Sequence, residues 1–166
     1  MVEMELARIL ISETRDAQII VLREKDGERA FPIVIGYFEA AAIDRHVKEI
    51  PMPRPLTHDL INNIIAWFDA KLARIVVNDL RDNTFYGRLH IQWGDRLVDV
   101  DTRPSDAIAL AVLNGCPIFV EEHVLDEVCA SFDIEKMSFN PDADEDADEE
   151  DDEDDEDFDE DDEEEQ

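Results

Sequence analysis

The chain has 166 residues, of which 45 are acidic and 15 basic, giving a net charge of -30. No apolar run approaches the roughly 20 residues that a membrane-spanning helix needs, so composition speaks against a membrane protein. Cys116 and Cys129 lack metal-ligand spacing and no apolar leader is apparent, so a reduced, cytoplasmic protein is expected rather than a disulfide scaffold.

Along the chain, two-residue alternation predicts strands over 3–12, 17–23 and 29–35, followed by a helix over 37–47. Pro51, Pro53 and Pro55 form an extended connector. Thr57 is placed to cap a helix running to about residue 69, with Leu60, Ile61, Ile64, Ile65 and Phe68 on one apolar stripe. Strands follow at 72–80, 85–92 and 97–101, then a helix at 104–114 with Pro104 at its first position and Gly115 as its C-terminal cap. A short strand over 118–121 and a helix over 123–132 complete the predicted order. The class is α+β with mostly antiparallel sheet.

Beyond these elements the acidity concentrates. Residues 142–166 hold 21 of the 45 acidic groups and no basic ones, leaving 24 acidic against 15 basic groups, or -9, in residues 1–141. So charged a run repels itself, which predicts a folded domain over 1–135 and a disordered acidic tail over 136–166.

The folded part repeats itself. Ala7-Arg8-Ile9 aligns with Ala73-Arg74-Ile75, and Arg15-Asp16 with Arg81-Asp82. With one extra residue in the second copy, Gly27-Glu28-Arg29 falls on Gly94-Asp95-Arg96 and Glu39 on Asp106. Each half, 3–47 and 72–114, reads as strand, strand, strand, helix, with Gly27 and Gly94 at turns where a positive φ is cheap. Such a unit leaves sheet edges, which favours a homodimer or larger homo-oligomer.

The junction from Leu97 to Ala111 is the best candidate site. Alternation puts Asp99 and Asp101 on one strand face and Val98 and Val100 on the other, facing a core. Asp106 falls in the first turn of the next helix, where the dipole favours a carboxylate, and Arg103 sits on the hinge. In the first copy the matching positions are Pro32, Val34 and Gly36, with Glu39 opposite Asp106. Asp99, Asp101 and Arg103 are therefore peculiar to the second copy. A solvated strand face with an Arg–Asp pair worth roughly 0–1 kcal/mol is the simpler account of the same residues.

Three motifs carry a resemblance. Arg54-Pro55-Leu56-Thr57-His58-Asp59-Leu60, the run from Asp99 to Ala111, and Pro117-Ile118-Phe119-Val120-Glu121-Glu122 together resemble the bifunctional nuclease (BFN) domain family over about residues 2–130. The chain looks like a bacterial member in which an acidic tail replaces the short helical hairpin module found in many relatives. The resemblance implies an oligomeric α+β domain and nuclease activity on DNA or RNA. Its motif positions are His58 and Asp59, the group Asp99, Asp101, Arg103 and Asp106, and Glu121 with Glu122.

Metal-assisted phosphodiester cleavage needs carboxylates for Mg²⁺ or Mn²⁺, a cation for the phosphate and a proton-transfer group. Asp99, Asp101 and Glu122 are the expected metal ligands, and Arg103 the phosphate contact. His58 serves as general acid or base, with Asp59 and Asp106 completing the catalytic set. No basic groove accompanies these residues, although nucleic-acid binders owe much of their affinity to clustered cations. The alternative is a non-catalytic oligomeric binding or regulatory module whose acidic tail engages basic proteins or cations.

Overall fold

A computed structural model describes residues 1–12 and 17–131 of the chain. The expected tail, the end of the last helix at Phe132, and the alignment of Arg15-Asp16 lie outside the described residues. Strands β1 (Val2–Leu10), β2 (Ala17–Glu24) and β3 (Ala30–Gly36) lead into helix α1 (Tyr37–Val47). After α2 (Thr57–Trp67) the pattern recurs as β4 (Ala70–Arg81), β5 (Thr84–Trp93), β6 (Arg96–Thr102) and α3 (Pro104–Asn114). The short strand β7 (Ile118–Val120) and helix α4 (Glu122–Ser131) follow.

All seven strands form one sheet in the order β3-β2-β1-β7-β4-β5-β6. β7 joins the halves, antiparallel to β1 and parallel to β4, while the other pairings are antiparallel. The chain is thus α+β, as expected. Alternation decides which residues turn inward: Ile20 and Leu22 on β2, Phe31 and Ile33 on β3, Ile75 and Val77 on β4, and Leu89 on β5 are buried. They share one core with Ile43 of α1, Ile108 and Leu110 of α3, and Val124 and Leu125 of α4.

The two halves carry the same irregularity at the same place. The β1–β2 register shifts between Leu6 and Arg8, and the β4–β5 register shifts between Leu72 and Arg74. A bulge inserts one residue and turns the strand, so its recurrence at Ala7 and Ala73 supports the duplication more firmly than residue identity does. Downstream, Val21 pairs with Pro32 and His90 with Asp99, which retains the correspondence of Pro32 with Asp99.

The hairpins differ in their turns. Asp82 and Asn83 close β4–β5 with φ of 48° and 59°, the pattern of a type I′ turn, which suits the twist of the flanking strands. Gly94 has φ 58° in the two-residue β5–β6 turn, as expected, whereas Gly27 is not among the positive-φ residues. The first copy connects its second and third strands through a longer loop, and that loop does not need a left-handed residue there.

Helices α1 and α3 match their predicted bounds, and Gly115 caps α3 with φ 61°. Helix α2 departs from expectation in two ways. Its N-cap is Leu56 and not Thr57, because the Leu60 N–H already bonds the Leu56 carbonyl at 2.8 Å. Its predicted single stripe splits: Ile65 is buried and Ile61 packs on the core, but Leu60, Ile64 and Phe68 are exposed.

The edge strand β6 also corrects the sequence reading. Val98 and Val100 point to the core side but remain 37% and 40% exposed. The reason is topological, since α3 turns back over β4 and β5 and leaves the inner face of β6 uncovered. No helix among the described residues is long and apolar enough to cross a membrane.

Candidate functional site

The starts of α1, α2 and α3 bring four polar side chains together. Arg103, the N-cap residue of α3, gives its Nε to Asp106 Oδ2 at 2.7 Å and its Nη2 to Asp106 Oδ1 at 3.1 Å. Its Nη1 bonds Glu39 Oε1 at 2.8 Å. His58 Nε2 lies 3.1 Å from Asp106 Oδ1. Thus Glu39, Arg103, Asp106 and His58 form one chain of contacts across three helices.

The duplication explains the geometry. Glu39 and Asp106 occupy matching positions in the first turns of α1 and α3, helices that pack against each other. Each gains from its own helix dipole, and both reach the same guanidinium. Arg103 itself corresponds to Gly36, where an added Cβ would lie 2.4 Å from a Glu39 carboxylate oxygen. One copy supplies a second acid and leaves it room, while the other supplies the cation.

Burial alone would raise the Asp106 carboxyl, but hydrogen bonds from Arg103 and His58 outweigh it and hold the group below the usual aspartate range. Asp106 is therefore ionised at neutral pH and orients the imidazole that it contacts. Arg103 is 65% exposed and uses three of its five N–H donors on carboxylates, which leaves two for a ligand. Beside the cluster opens a cleft of about 620 Å³, walled by Phe38, Leu56 and Leu60 and reached by His58, Arg103 and Asp106.

Asp59 is adjacent to His58 in sequence but faces another partner. Both of its oxygens accept from Arg45 Nη2, at 3.1 and 3.0 Å, and Oδ2 also accepts from the Leu56 N–H at 2.9 Å. It closes the first turn of α2 from within the helix and ties it to the last turn of α1. His46 lies under this pair, its Nε2 2.9 Å from Arg45 Nη2 and its ring 6.4 Å from that of His58. Arg45 and His46 carried no signal in the sequence beyond a favourable position at a helix C-terminus. Glu39 did carry one, through its alignment with Asp106.

Burial and then the Arg45 charge lower the His46 pKa from its ordinary 6.5. The unfolded chain therefore takes up this proton first as pH falls. Folded stability is expected to be full above 6.5 and to decline below it, before any aspartate titrates. Urea unfolding between pH 8 and pH 5 checks this, and His46→Gln, which still offers Arg45 an acceptor, is expected to flatten the decline.

The expected metal ligands do not converge. Asp99 and Asp101 pair across strands with His90 and Arg88 on the sheet face opposite the core, whereas Arg103 and Asp106 belong to the helical layer. His90 Nδ1 lies 3.6 Å from Asp99 and accepts from Arg74 Nε at 3.2 Å. Glu122 is engaged elsewhere, 2.8 Å from Arg29 Nη1, and Glu121 lies 3.7 Å from the terminal amine. Among the described residues no group of three or more His, Cys, Asp or Glu side chains is placed to hold a metal ion. The set Asp99, Asp101 and Glu122 does not fit Mg²⁺ or Mn²⁺, which require several oxygens around one point.

An alternative role for the two strand acids follows from topology. β6 is one edge of the sheet and β3 the other. Pro32 on β3 removes a donor where Asp99 on β6 places a charge, and both are devices that discourage edge-to-edge pairing.

Comparison with known proteins identifies the same family as the motifs do. The profile of the Bifunctional nuclease domain matches residues 20–133. Two uncharacterized proteins of Mycobacterium tuberculosis, from strains CDC 1551 / Oshkosh and H37Rv, are each 42% identical over 123 residues. These alignments cover 74% of this chain and 73% of each relative.

Proposed function

The chain belongs to the bifunctional nuclease domain family, and on that premise we propose that it hydrolyses phosphodiester bonds of nucleic acid at His58, Asp106 and Arg103. The observation that carries the reading is the shared carboxylate: Asp106 contacts His58 at 3.1 Å and Arg103 at 2.7 Å, at the edge of an open cleft. Arg103 receives the phosphate through its two remaining N–H groups, and planar bidentate contact suits a guanidinium. Water attacks the phosphorus as the P–O bond to the leaving ester oxygen breaks, and His58 takes the proton from that water or gives one to the departing oxygen, since imidazole is the side chain that exchanges protons readily near neutral pH. With Nε2 held by Asp106, Nδ1 is the nitrogen left for that exchange. Glu39 and Asp59 act one step removed, holding Arg103 and the start of α2 in place. No step is assigned to a metal, because the acids expected to bind one are dispersed.

The test uses the full chain with labelled single-stranded RNA and DNA oligonucleotides, in chelator and in added Mg²⁺ or Mn²⁺. His58→Ala and Asp106→Asn are expected to slow cleavage by about 100-fold or more while the circular dichroism spectrum is kept. The proposal fails if the parent cleaves neither substrate, or if His58→Ala cleaves as the parent does. It is refined to a metal-assisted reaction if chelator abolishes activity and Asp99→Asn with Asp101→Asn does the same.

A second reading is favoured by one observation, the charge of the cluster. Arg103 is flanked by two carboxylates, Glu39 and Asp106, so these three groups together carry a formal charge of about -1, on a chain of net charge -30. That balance suits a non-catalytic binding module. It predicts no cleavage under any metal condition, with retention of basic proteins by the full chain at low salt.

A further inference from the structure

We propose that the cleft between the β3 edge, the β4–β5 turn and the start of α3 binds a phosphate group of a nucleotide. This second cleft measures about 330 Å³ and shares only Arg103 and Glu39 with the one that holds His58, so that ion pair stands between them. It exists because the sheet curls. Phe31 of β3 stacks on Phe85 of β5 with ring centroids 5.6 Å apart, which brings the free edge of β3 to the hairpin at Asn83 and Thr84.

Ser105 carries the assignment. It is 6% exposed and lines this cleft, and its hydroxyl has no hydrogen-bond partner among the described residues. The sealed side-chain atoms without a partner are Arg45 Nε and Asn78 Oδ1, so the Ser105 hydroxyl is not enclosed by packing and opens on the cleft. Backbone donors stand beside it. The N-cap residue of α3 supplies no side-chain bond, Pro104 has no N–H, and the first intrahelical bond runs from the Ala107 N–H to the Arg103 carbonyl at 3.1 Å. The Ser105 and Asp106 N–H groups are therefore without an acceptor among the described residues, at the positive end of the helix dipole.

The balance of donors sets the charge of the ligand. Against them the cleft places the Glu39 carboxylate, whose Oε1 already accepts from Arg103 at 2.8 Å. That pair cancels, and the Asp106 carboxylate lines the His58 cleft instead. Ser105, with Asn83 and Thr84 on the rim, then offers donors to a group rich in acceptor oxygens. Ile33, Phe85 and Pro104 supply apolar wall. Small-molecule sites begin at about 300 Å³, so the space suits a phosphate ester with its sugar better than the ion alone.

The part this subsite plays in cleavage rests on the reading of His58, Arg103 and Asp106 above. With the phosphate being cut on the two free N–H groups of Arg103, the neighbouring phosphate of the same strand seats at Ser105 and fixes the strand across the ion pair.

Calorimetric titration of the full chain in chelator, with adenosine 5′-monophosphate, inorganic phosphate and adenosine, tests the cleft without reference to activity. The monophosphate is expected to bind, inorganic phosphate to bind more weakly, and adenosine not to bind. Ser105→Ala is expected to weaken the monophosphate by about 10-fold, as loss of one hydrogen bond to a charged group does. Its melting temperature is expected to stay or rise, because the hydroxyl has no partner in the fold to lose. Thr84→Glu, at an exposed rim position, weakens binding independently by adding a carboxylate, and His58→Ala in the other cleft leaves it unchanged. In cleavage, Ser105→Ala is expected to raise KM for an oligonucleotide by about 10-fold with kcat kept. A dinucleoside monophosphate, which has no second phosphate, is expected to be cut as by the parent. No binding at about 10 mM monophosphate, adenosine bound as tightly as the monophosphate, or an affinity unmoved by both Ser105→Ala and Thr84→Glu overturns the proposal. A lowered melting temperature for Ser105→Ala would assign the hydroxyl to the fold and overturn it as well. Ser105-dependent binding by a chain that cleaves neither RNA nor DNA would leave the subsite standing and count against the nuclease reading.

Discussion

Arg103→Ala is expected to reduce cleavage by about 100- to 1,000-fold, the usual cost of losing one donor to a developing phosphate charge, and to destabilise the fold as well. The two effects have separate origins. Cleavage falls because no other described arginine or lysine touches Asp106 or Glu39, so no second guanidinium or ammonium takes its place. Stability falls because Glu39 and Asp106 are only 21% and 25% exposed, and removing the guanidinium leaves two carboxylates at adjacent helix starts. Leaving such charges uncompensated costs about 1–2 kcal/mol at this degree of burial. Glu39→Gln in the Arg103→Ala background is expected to restore part of the stability and none of the activity. Arg103→Lys separates the roles further. A single ammonium keeps the charge but cannot span both carboxylates and present a planar pair of donors, so it restores more stability than turnover. Thermal melts and oligonucleotide cleavage on the same preparations check the series. If Arg103→Ala cleaves normally, the phosphate does not bind there.

How much of this was legible beforehand divides along the range of the interactions involved. Helices α1 and α3 could be bounded to the residue, because Gly115 and Pro104 punctuate the chain locally and the register of the two copies supports each end. The antiparallel sheet followed from period-two alternation. The exposure of Val98 and Val100 did not, since alternation reveals which way a residue points and not whether another element covers it. The same limit applies to α2, whose Leu60 and Ile64 have the periodicity of a buried face and lie on the surface. At the site, His58 and the pair Arg103 and Asp106 were visible in two separate motifs, and their meeting across helix starts was not. The division of Asp99 and Asp101 from them was not, because it depends on the sheet's position between two faces. Ion pairs such as Arg45 with Asp59 join α1 to α2 through packing that no local pattern encodes.

Removing Arg45 isolates that last kind of contact. Arg45→Met is expected to lower stability at pH 8 by about 2–3 kcal/mol, because breaking one partner of a mostly buried pair strands the other charge. Asp59 is 20% exposed and would keep only the Leu56 N–H as a hydrogen-bond donor. Asp59→Asn should cost less, since its carbonyl oxygen can still accept from Leu56, and the double variant should cost less than the sum of the singles. The pH dependence supplies the sharper check. In the parent, burial and Arg45 lower the His46 pKa, so acidification destabilises. Without Arg45, the nearest charge to His46 is the Asp59 carboxylate, whose Oδ1 lies 3.9 Å from His46 Nε2. Protonated His46 then partly takes the place of the lost guanidinium, its pKa moves up from the parent's lowered value, and folding opposes its protonation less than in the parent. The penalty of Arg45→Met is therefore expected to shrink as pH falls from 8 toward 5.5, opposite in sign to the parent's own decline. Urea melts at the two pH values distinguish the outcomes. A penalty that is the same at both would mean that His46 does not exchange charge with this pair, and that Asp59 anchors α2 through its backbone bond alone.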